Sequence, residues 1–288
     1  MTAQFKAAPT ITRHWHASLT LGFALRRGVT RMVENIHCGP LRVLKPFYPE
    51  ADCCHVYLLH PPGGLVLGDE LRINVQVDSD SLALVTTPSA GKVYGVKNAA
   101  EKQQQRVSLS VATGACLEWL PQETIVFNGA NALLQSDIQL QADAKLMFWD
   151  MVCFGRPANQ LTFDSGECVQ MIRIVREGIP LLIERNLVKG GGALQASAWG
   201  LGGHNSMGTF IMTLRTVREQ RQELTEMLEQ TIALGTHAWG LTQKDDLFIA
   251  RYLGDSASHC RRGFELLWQT LRPLMINKPA VSPRIWFT

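Results

Sequence analysis

The stretch 71–91, "LRINVQVDSDSLALVTTPSAG", decides the fold class. Leu71, Ile73, Val75 and Val77 alternate with Arg72, Asn74 and Gln76. A period of two puts the first set on one face of a strand and the second on the other, so this segment predicts a half-buried strand. "DSDS" (78–81) is a turn signal, and "LALVTT" (82–87) is denser and predicts a strand covered on one or both faces. Pro88 then breaks the ladder. Both textures recur. "RVSLSV" (106–111) and "DIQLQ" (137–141) alternate; "LMFWDMVCF" (146–154), "QMIRIV" (170–175), "LLIERNLV" (181–188) and "TFIMTLRTV" (209–217) are dense. Turns such as "HPPGG", "ATGA", "FNGAN" and "KGGG" separate short strands about every 8–12 residues, as stacked sheets require. The expected class is mainly β, stacked sheets in a sandwich or a solenoid-like β architecture, with two α-helices near the C-terminus.

After Val217 the texture changes. "REQRQELTEMLEQTIALG" places Leu224, Met227, Leu228 and Ile232 on one helical face, with Gly235 as its cap. "DDLFIARYL" (245–253) reads as one more strand. "DSASHCRRGFELLWQTLRPLM" reads as a second helix capped by Asp255 or Ser256 and running to Pro273. No linker or repeat intervenes, so the expected organisation is one domain, 1–288, β-rich over 1–217 and helix–strand–helix over 218–288.

Composition narrows the function. The chain has 288 residues, Lys+Arg 28 against Asp+Glu 25 and a net charge of +3, a balance that points to neither nucleic acid nor a membrane surface as partner. Hydrophobic residues reach 46% and charged ones only 18%, which implies apolar surface meant for a protein partner. No run is long and apolar enough for a transmembrane helix, and the N-terminal stretch lacks the order of a secretory signal; the expectation is a cytoplasmic protein. Seven cysteines without a Cys-x-x-Cys pair predict buried, reduced thiols rather than a disulfide framework.

"HPPGGLVLGDEL" (60–71) has the glycines of a phosphate loop, but it continues Asp69-Glu70 where a phosphate cradle needs Lys and a hydroxyl. A nucleotide is excluded. Four acids stand where acids are expensive: Asp69, Glu118 in "CLEWL", Asp150 in "MFWDMV" and Glu184 in "PLLIER". An unpaired buried carboxylate costs several kcal/mol, so each needs a cation, backbone donors or a metal. One reading makes them structural ion pairs, Glu184 with Arg185 or Arg173. The other makes them a set of oxygen ligands inside the β core, and as an enzyme alternative Asp69, Asp150 and Glu184 would form a metal-dependent hydrolase site. In "DCCH" (52–55), Cys53 and His55 share a strand face, a weak metal signal that lacks further ligands. His14, His16, His37, His60, His204, His237 and His259 are scattered, and neither HExxH nor G-x-S-x-G spacing occurs. "TTPSAGKVYG" (86–95) adds hydroxyls at Thr86, Thr87 and Ser89 beside Lys92.

Taken in order, "PLRVLKPFYPE" (40–50), "CHVYLLHPPGGLVLGDEL" (54–71), "TTPSAGKVY" (86–94), "LEWLPQETIVFNGA" (117–130), "FWDMVCFGRPA" (148–158), "GIPLLIER" (178–185) and "PRIWFT" (283–288) closely resemble the urease accessory protein UreD family, called UreH in some bacteria. The match spans nearly the full chain. The resemblance implies a mainly β fold with a couple of helices and a maturation chaperone rather than an enzyme. Such a protein binds apo-urease and, with the helical UreF and through it the GTPase UreG, assists GTP-dependent insertion of nickel, which is in transit and not permanently bound. It further implies an internal polar passage, to whose acidic lining Asp69, Asp150 and Glu184 correspond, with Thr86 and Ser89 as hydroxyl candidates. Weak, sequential oxygen ligands suit transit of a borderline cation. By the same resemblance, the second C-terminal helix and "PRIWFT" are expected to form the UreF-binding surface, unless Trp286 packs on the β core. The sequence departs from the family pattern at Leu67, at Ser89, Val93 and Gly95, and at Gln160-Leu161, positions that bear on partner contacts and leave the three acids in place.

Overall fold

The computed structural model describes residues 15–95, 101–232 and 237–287. His14, Gly235 and Thr288 lie outside the described residues. In chain order the strands are β1 (His16–Arg26), β2 (Val29–Cys38), β3 (Arg42–Val43), β4 (Cys54–Leu59), β5 (Glu70–Val77), β6 (Leu82–Thr86), β7 (Gly91–Val93), β8 (Gln103–Val111) and β9 (Cys116–Trp119). They continue as β10 (Thr124–Val126), β11 (Asn131–Leu140), β12 (Lys145–Phe154), β13 (Glu167–Arg176), β14 (Ile179–Lys189), β15 (Ser206–Thr213), β16 (His237–Lys244) and β17 (Leu247–Gly254). The helices are α1 (Ala193–Ala196), α2 (Arg218–Thr231) and α3 (Ala257–Ile276).

Two sheets result. The first runs β14-β13-β11-β8-β5-β1-β2 and the second β16-β17-β15-β12-β9-β6-β4-β3, with β10 bridging β12 and β7. From β4 to β13 the chain crosses from one sheet to the other with each long strand, so β5, β8, β11 and β13 stack in parallel in the first sheet and β4, β6, β9 and β12 in the second. A parallel neighbour needs a long crossover, and here the strand in the opposite sheet supplies it. Of the architectures left open by the sequence, this is the solenoid-like stack. Antiparallel hairpins finish it: β1–β2 and β13–β14 at the two edges of the first sheet, and β15, β17 and β16 at one end of the second.

The two textures of the sequence map onto the two sheets in part, since the dense "QMIRIV" and "LLIERNLV" fall in β13 and β14 of the first sheet. "LRINVQV", "RVSLSV" and "DIQLQ" lie in the first sheet, whose outer face meets solvent, and they alternate buried and exposed. "LALVTT", "LMFWDMVCF" and most of "TFIMTLRTV" lie in the second sheet and are buried on both faces. One face packs on the first sheet through Val85, Leu117, Phe148, Val152, Ile211 and Ile249. The other packs under α3 through Leu84, Trp149, Phe210, Phe248 and Ala250, against Phe264, Leu267, Trp268 and Leu271.

Helix α2 carries Leu224, Leu228 and Ile232 inward as its periodicity predicts. Ser256 caps α3, its hydroxyl accepting from the His259 N–H at 3.2 Å. The helix does not stop at Pro273 but continues to Ile276 before Asn277 closes it in the left-handed region; a proline in the last turn forfeits one backbone hydrogen bond, and the packing of Leu271 and Met275 holds the turn. Two strands, not one, lie between α2 and α3, because the short alternating segment "HAWGLTQK" pairs with β17.

Candidate functional site

The glycine turn before β5 splits its two acids. Gly63 and Gly68 both adopt positive φ, and Gly64 comes so close to β7 that a Cβ there would lie 2.5 Å from the Tyr94 ring. Emerging from this turn, Glu70 joins an ionic cluster with Arg72 (2.8 Å), His16 (3.1 Å) and Arg106 (3.4 Å). Asp69 turns inward and is 5% exposed. Its Oδ2 accepts the Val66 N–H at 2.9 Å, while Oδ1 is buried without a hydrogen-bond partner. His60 lies within its field: burial lowers the His60 pKa, and the Asp69 charge partly offsets that.

His60, Thr87, Ser89 and Lys92 line the outer part of a cavity of about 110 Å³ that extends between the sheets to Gln105, Ser136 and Asp150. Asp150 sits on β12 between Phe148 and Val152, at a parity otherwise reserved for the apolar layer between the sheets. What surface it keeps faces this cavity. Burial raises its carboxyl above the usual range; the Gln170 amide, donating to Oδ2 at 3.0 Å, and the Met151 N–H oppose the rise, and the Glu184 charge adds to it.

From Asp150 the polar contacts continue without a break. Gln170 Oε1 accepts from Asn186 Nδ2 at 2.9 Å, the same amide donates to Glu184 Oε1 at 3.1 Å, and Glu184 Oε2 accepts from Arg251 Nη2 at 2.6 Å. Strand register explains the alignment. Gln170 stands opposite Asn186 in the first sheet, while in the second Asp150 stands opposite Thr209 and Thr209 opposite Arg251. A transverse polar seam therefore crosses an apolar layer at one level and ends at a groove of about 490 Å³, walled by Glu184, Arg251, Thr209, Gly240 and Trp199. Trp199 is 87% exposed.

The expected ion pairs of Glu184 are corrected. Arg185 and Arg173 occupy the outward parity of β14 and β13 and are exposed, so neither reaches it; the partner is Arg251, which chain folding brings from a distant strand. Gln170, Asn186 and Arg251 were not singled out from the sequence. Gln170 carries a legible signal, a polar residue in the apolar register Cys168, Ile172, Ile174.

The other predicted positions serve a different centre beneath α3. Glu118 is 1% exposed and accepts from Trp268 Nε1 at 2.6 Å and from Arg272 at 2.8–3.1 Å. Arg272, fully buried, also holds Glu50 at 2.8 Å and donates to the Pro279 carbonyl. Burial works against the Arg272 charge, but Glu118 and Glu50 outweigh it and raise its pKa. Thr86 belongs here too: its hydroxyl donates to the Leu120 carbonyl at 2.5 Å and accepts from Trp286 Nε1 at 2.8 Å, on the face away from the cavity. Trp286 packs between Trp149 and Trp268, each ring centroid 5.6 Å away, so of the two readings of the tail its tryptophan takes the core one; Phe287 is exposed.

Among the described residues, Glu50, Cys53 and His55 bring ligand atoms within 4.8 Å of one another. Glu50 is already taken by Arg272 and by His55 Nε2 at 2.8 Å, and burial raises the Cys53 thiol well above its ordinary value, which holds it protonated. Asp69, Asp150 and Glu184 form no such convergent group among the described residues; Asp150 and Glu184 lie on the seam, and Asp69 lies apart from it, near His60. The six cysteines of the interior are buried and free, and Cys38 is exposed.

These features coincide with strong similarity to known proteins. Over 283 residues the chain is 47% identical to "Urease accessory protein UreD" of Saccharophagus degradans, covering 98% of this chain and 96% of that one. It is 42% identical to the proteins of the same name from Chromohalobacter salexigens (96% of this chain, 90% of that one) and Citrobacter koseri (98% and 95%). The family model described as UreD urease accessory protein matches residues 16–287. The chain belongs to the UreD family of urease accessory proteins.

Proposed function

We propose that this chain serves urease maturation by guiding nickel along the polar seam between its sheets, in a complex with apo-urease and UreF, with UreG engaged through UreF and driving insertion by GTP hydrolysis. Family membership supports the coarser role in urease maturation, and the accessory name supports a non-catalytic one. The observation that carries the finer reading is the unbroken contact Asp150–Gln170–Asn186–Glu184 running from an internal cavity to an open groove. Nickel is cargo here. Carboxylate and amide oxygens offer a borderline cation successive weak positions, and Gln170 and Asn186 can turn a carbonyl toward it while releasing their present hydrogen bonds. Ser89 lines the part of the cavity away from the seam, and Asp69, with its unpartnered Oδ1, lies within the field of His60 in the same lining; these two serve as entry ligands. Thr86, held by Trp286 and Leu120, has no place in the route. The metal-dependent hydrolase has no observation in its favour, since its three acids do not converge.

The double change Asp69→Ala with Glu184→Ala tests this reading. Pull-down of the complex with UreF and apo-urease is expected to be intact, with nickel content and urease activity reduced. Normal activation defeats transit, and loss of the complex assigns the acids a structural role.

A further inference from the structure

We propose that Arg251 is an electrostatic gate on Glu184, a counter-ion that closes the groove end of the seam to a divalent cation until it swings aside. The inference rests on reading the seam as a cation route, and it deepens that reading by naming what regulates its end. On β17, Leu247, Ile249, Arg251 and Leu253 share the parity that faces the first sheet; Leu247 and Ile249 are buried in the core, and Arg251 replaces an aliphatic side chain where the sandwich opens.

The two partners are held unequally. Glu184 is fixed by the Asn186 amide on one oxygen and its side chain is 16% exposed; the Arg251 side chain is 43% exposed. Among the described residues, Glu184 is the one hydrogen-bond partner of the Arg251 guanidinium. Gly240 stands directly opposite Arg251 on β16, and the space where its side chain would be is empty to 4 Å. The guanidinium can therefore leave over Gly240 while the carboxylate stays. At 2.6 Å it neutralises Glu184 and presents a positive charge to any arriving dication; removed, it leaves a carboxylate beside the Asn186 amide at the groove end of the seam. Pairs of this exposure are weakly held and easily displaced. Arg272 shows the contrast: the same residue type, with its side chain sealed from solvent and locked by two carboxylates, has no such freedom.

The test is a nickel-binding isotherm on the full chain, with Ni²⁺ alone competed against a chromophoric chelator. The Glu184 site is defined as the difference between each chain and its Glu184→Gln counterpart. Arg251→Met and Arg251→Gln are expected to bind Ni²⁺ there about tenfold more tightly than the unchanged chain, the effect of removing one like charge beside a dication at near-solvent screening. Arg251→Lys, which keeps the charge, is expected to stay within about twofold of the unchanged chain. Either neutral variant binding no more tightly than the unchanged chain, or a gain that persists without Glu184, overturns the gate. The gain appearing while the Asp69→Ala/Glu184→Ala chain still activates urease normally upholds the gate and defeats transit. No gain, with that activation impaired, does the reverse.

Discussion

Two sets of buried carboxylates sit on opposite faces of the second sheet. Glu118, on the face beneath α3, is met by a fully buried guanidinium, an indole N–H and a second carboxylate that shares the same cation. Asp150, on the face toward the first sheet, is met by neutral amides, and its neighbour Glu184 by a half-exposed arginine. In sequence the two acids look alike, each flanked by Trp and apolar residues. The difference lies in what chain folding brings to them. The charge that fastens a helix to a sheet has a fixed opposite charge, whereas the charges on the other face have neutral or part-exposed partners. On the reading proposed above, those are the partners that a passing cation would displace. Burial alone does not separate the two faces; the exposure of the counter-charge does.

The largest effect is expected at the fastening. Arg272→Met leaves Glu118 and Glu50 buried without their cation and should cost about 3–5 kcal/mol, read as an early denaturant midpoint. A midpoint within error of the unchanged chain would erase the contrast between the two faces. Trp286→Ala follows. It empties the place between Trp149 and Trp268 and frees the Thr86 hydroxyl, a loss of about 3 kcal/mol, so removal of 281–288 should weaken the fold as well as any UreF contact. Retained stability with lost UreF binding would return the tail to a purely interfacial role.

The seam should respond in the opposite sense. Because burial raises the Asp150 carboxyl above its unfolded value, its ionisation opposes folding. That penalty is absent below the unfolded pKa and appears as pH rises through the folded one. Asp150→Asn keeps an acceptor for Gln170 and removes the charge. It is expected to leave stability unchanged or raise it at neutral pH, the gain vanishing as pH falls into the carboxylate range. A loss of stability that persists at neutral pH would make Asp150 a fastening like Glu118. Smallest of all, Glu184→Gln breaks a part-exposed ion pair and should move the melting free energy by no more than about 0.5 kcal/mol.

Much of this was legible before the fold. Alternation marked "LRINVQV", "RVSLSV" and "DIQLQ" as one-faced strands, and the dense run 146–154 as a two-faced one, because burial on one or both sides leaves different periodicities. Asp69, Asp150 and Glu184 stood out as acids in apolar or rigid settings. Pairing between strands was not legible: that β12 lies beside β15, and β15 beside β17, depends on contacts distant in sequence, so the reach of Arg251 to Glu184 could not be read from "FIARYL". Arg272 was hidden for another reason. In "WQTLRPLM" it looks like a solvated residue before a proline, although it stands one turn after Trp268 on the helix face that meets the sheet. Thr86 and Ser89 went to opposite sides because Thr86, the last residue of β6, points with Leu84 toward α3, while Thr87 and the turn after it fall on the cavity side.

The contrast between fastening and route meets its most direct test in the nickel bound per urease active site after maturation with an Asp150→Asn/Glu184→Gln chain, its melting temperature recorded alongside. The account predicts a fall in nickel content with melting not lowered and complex formation unchanged. Full nickel loading by that chain would contradict it.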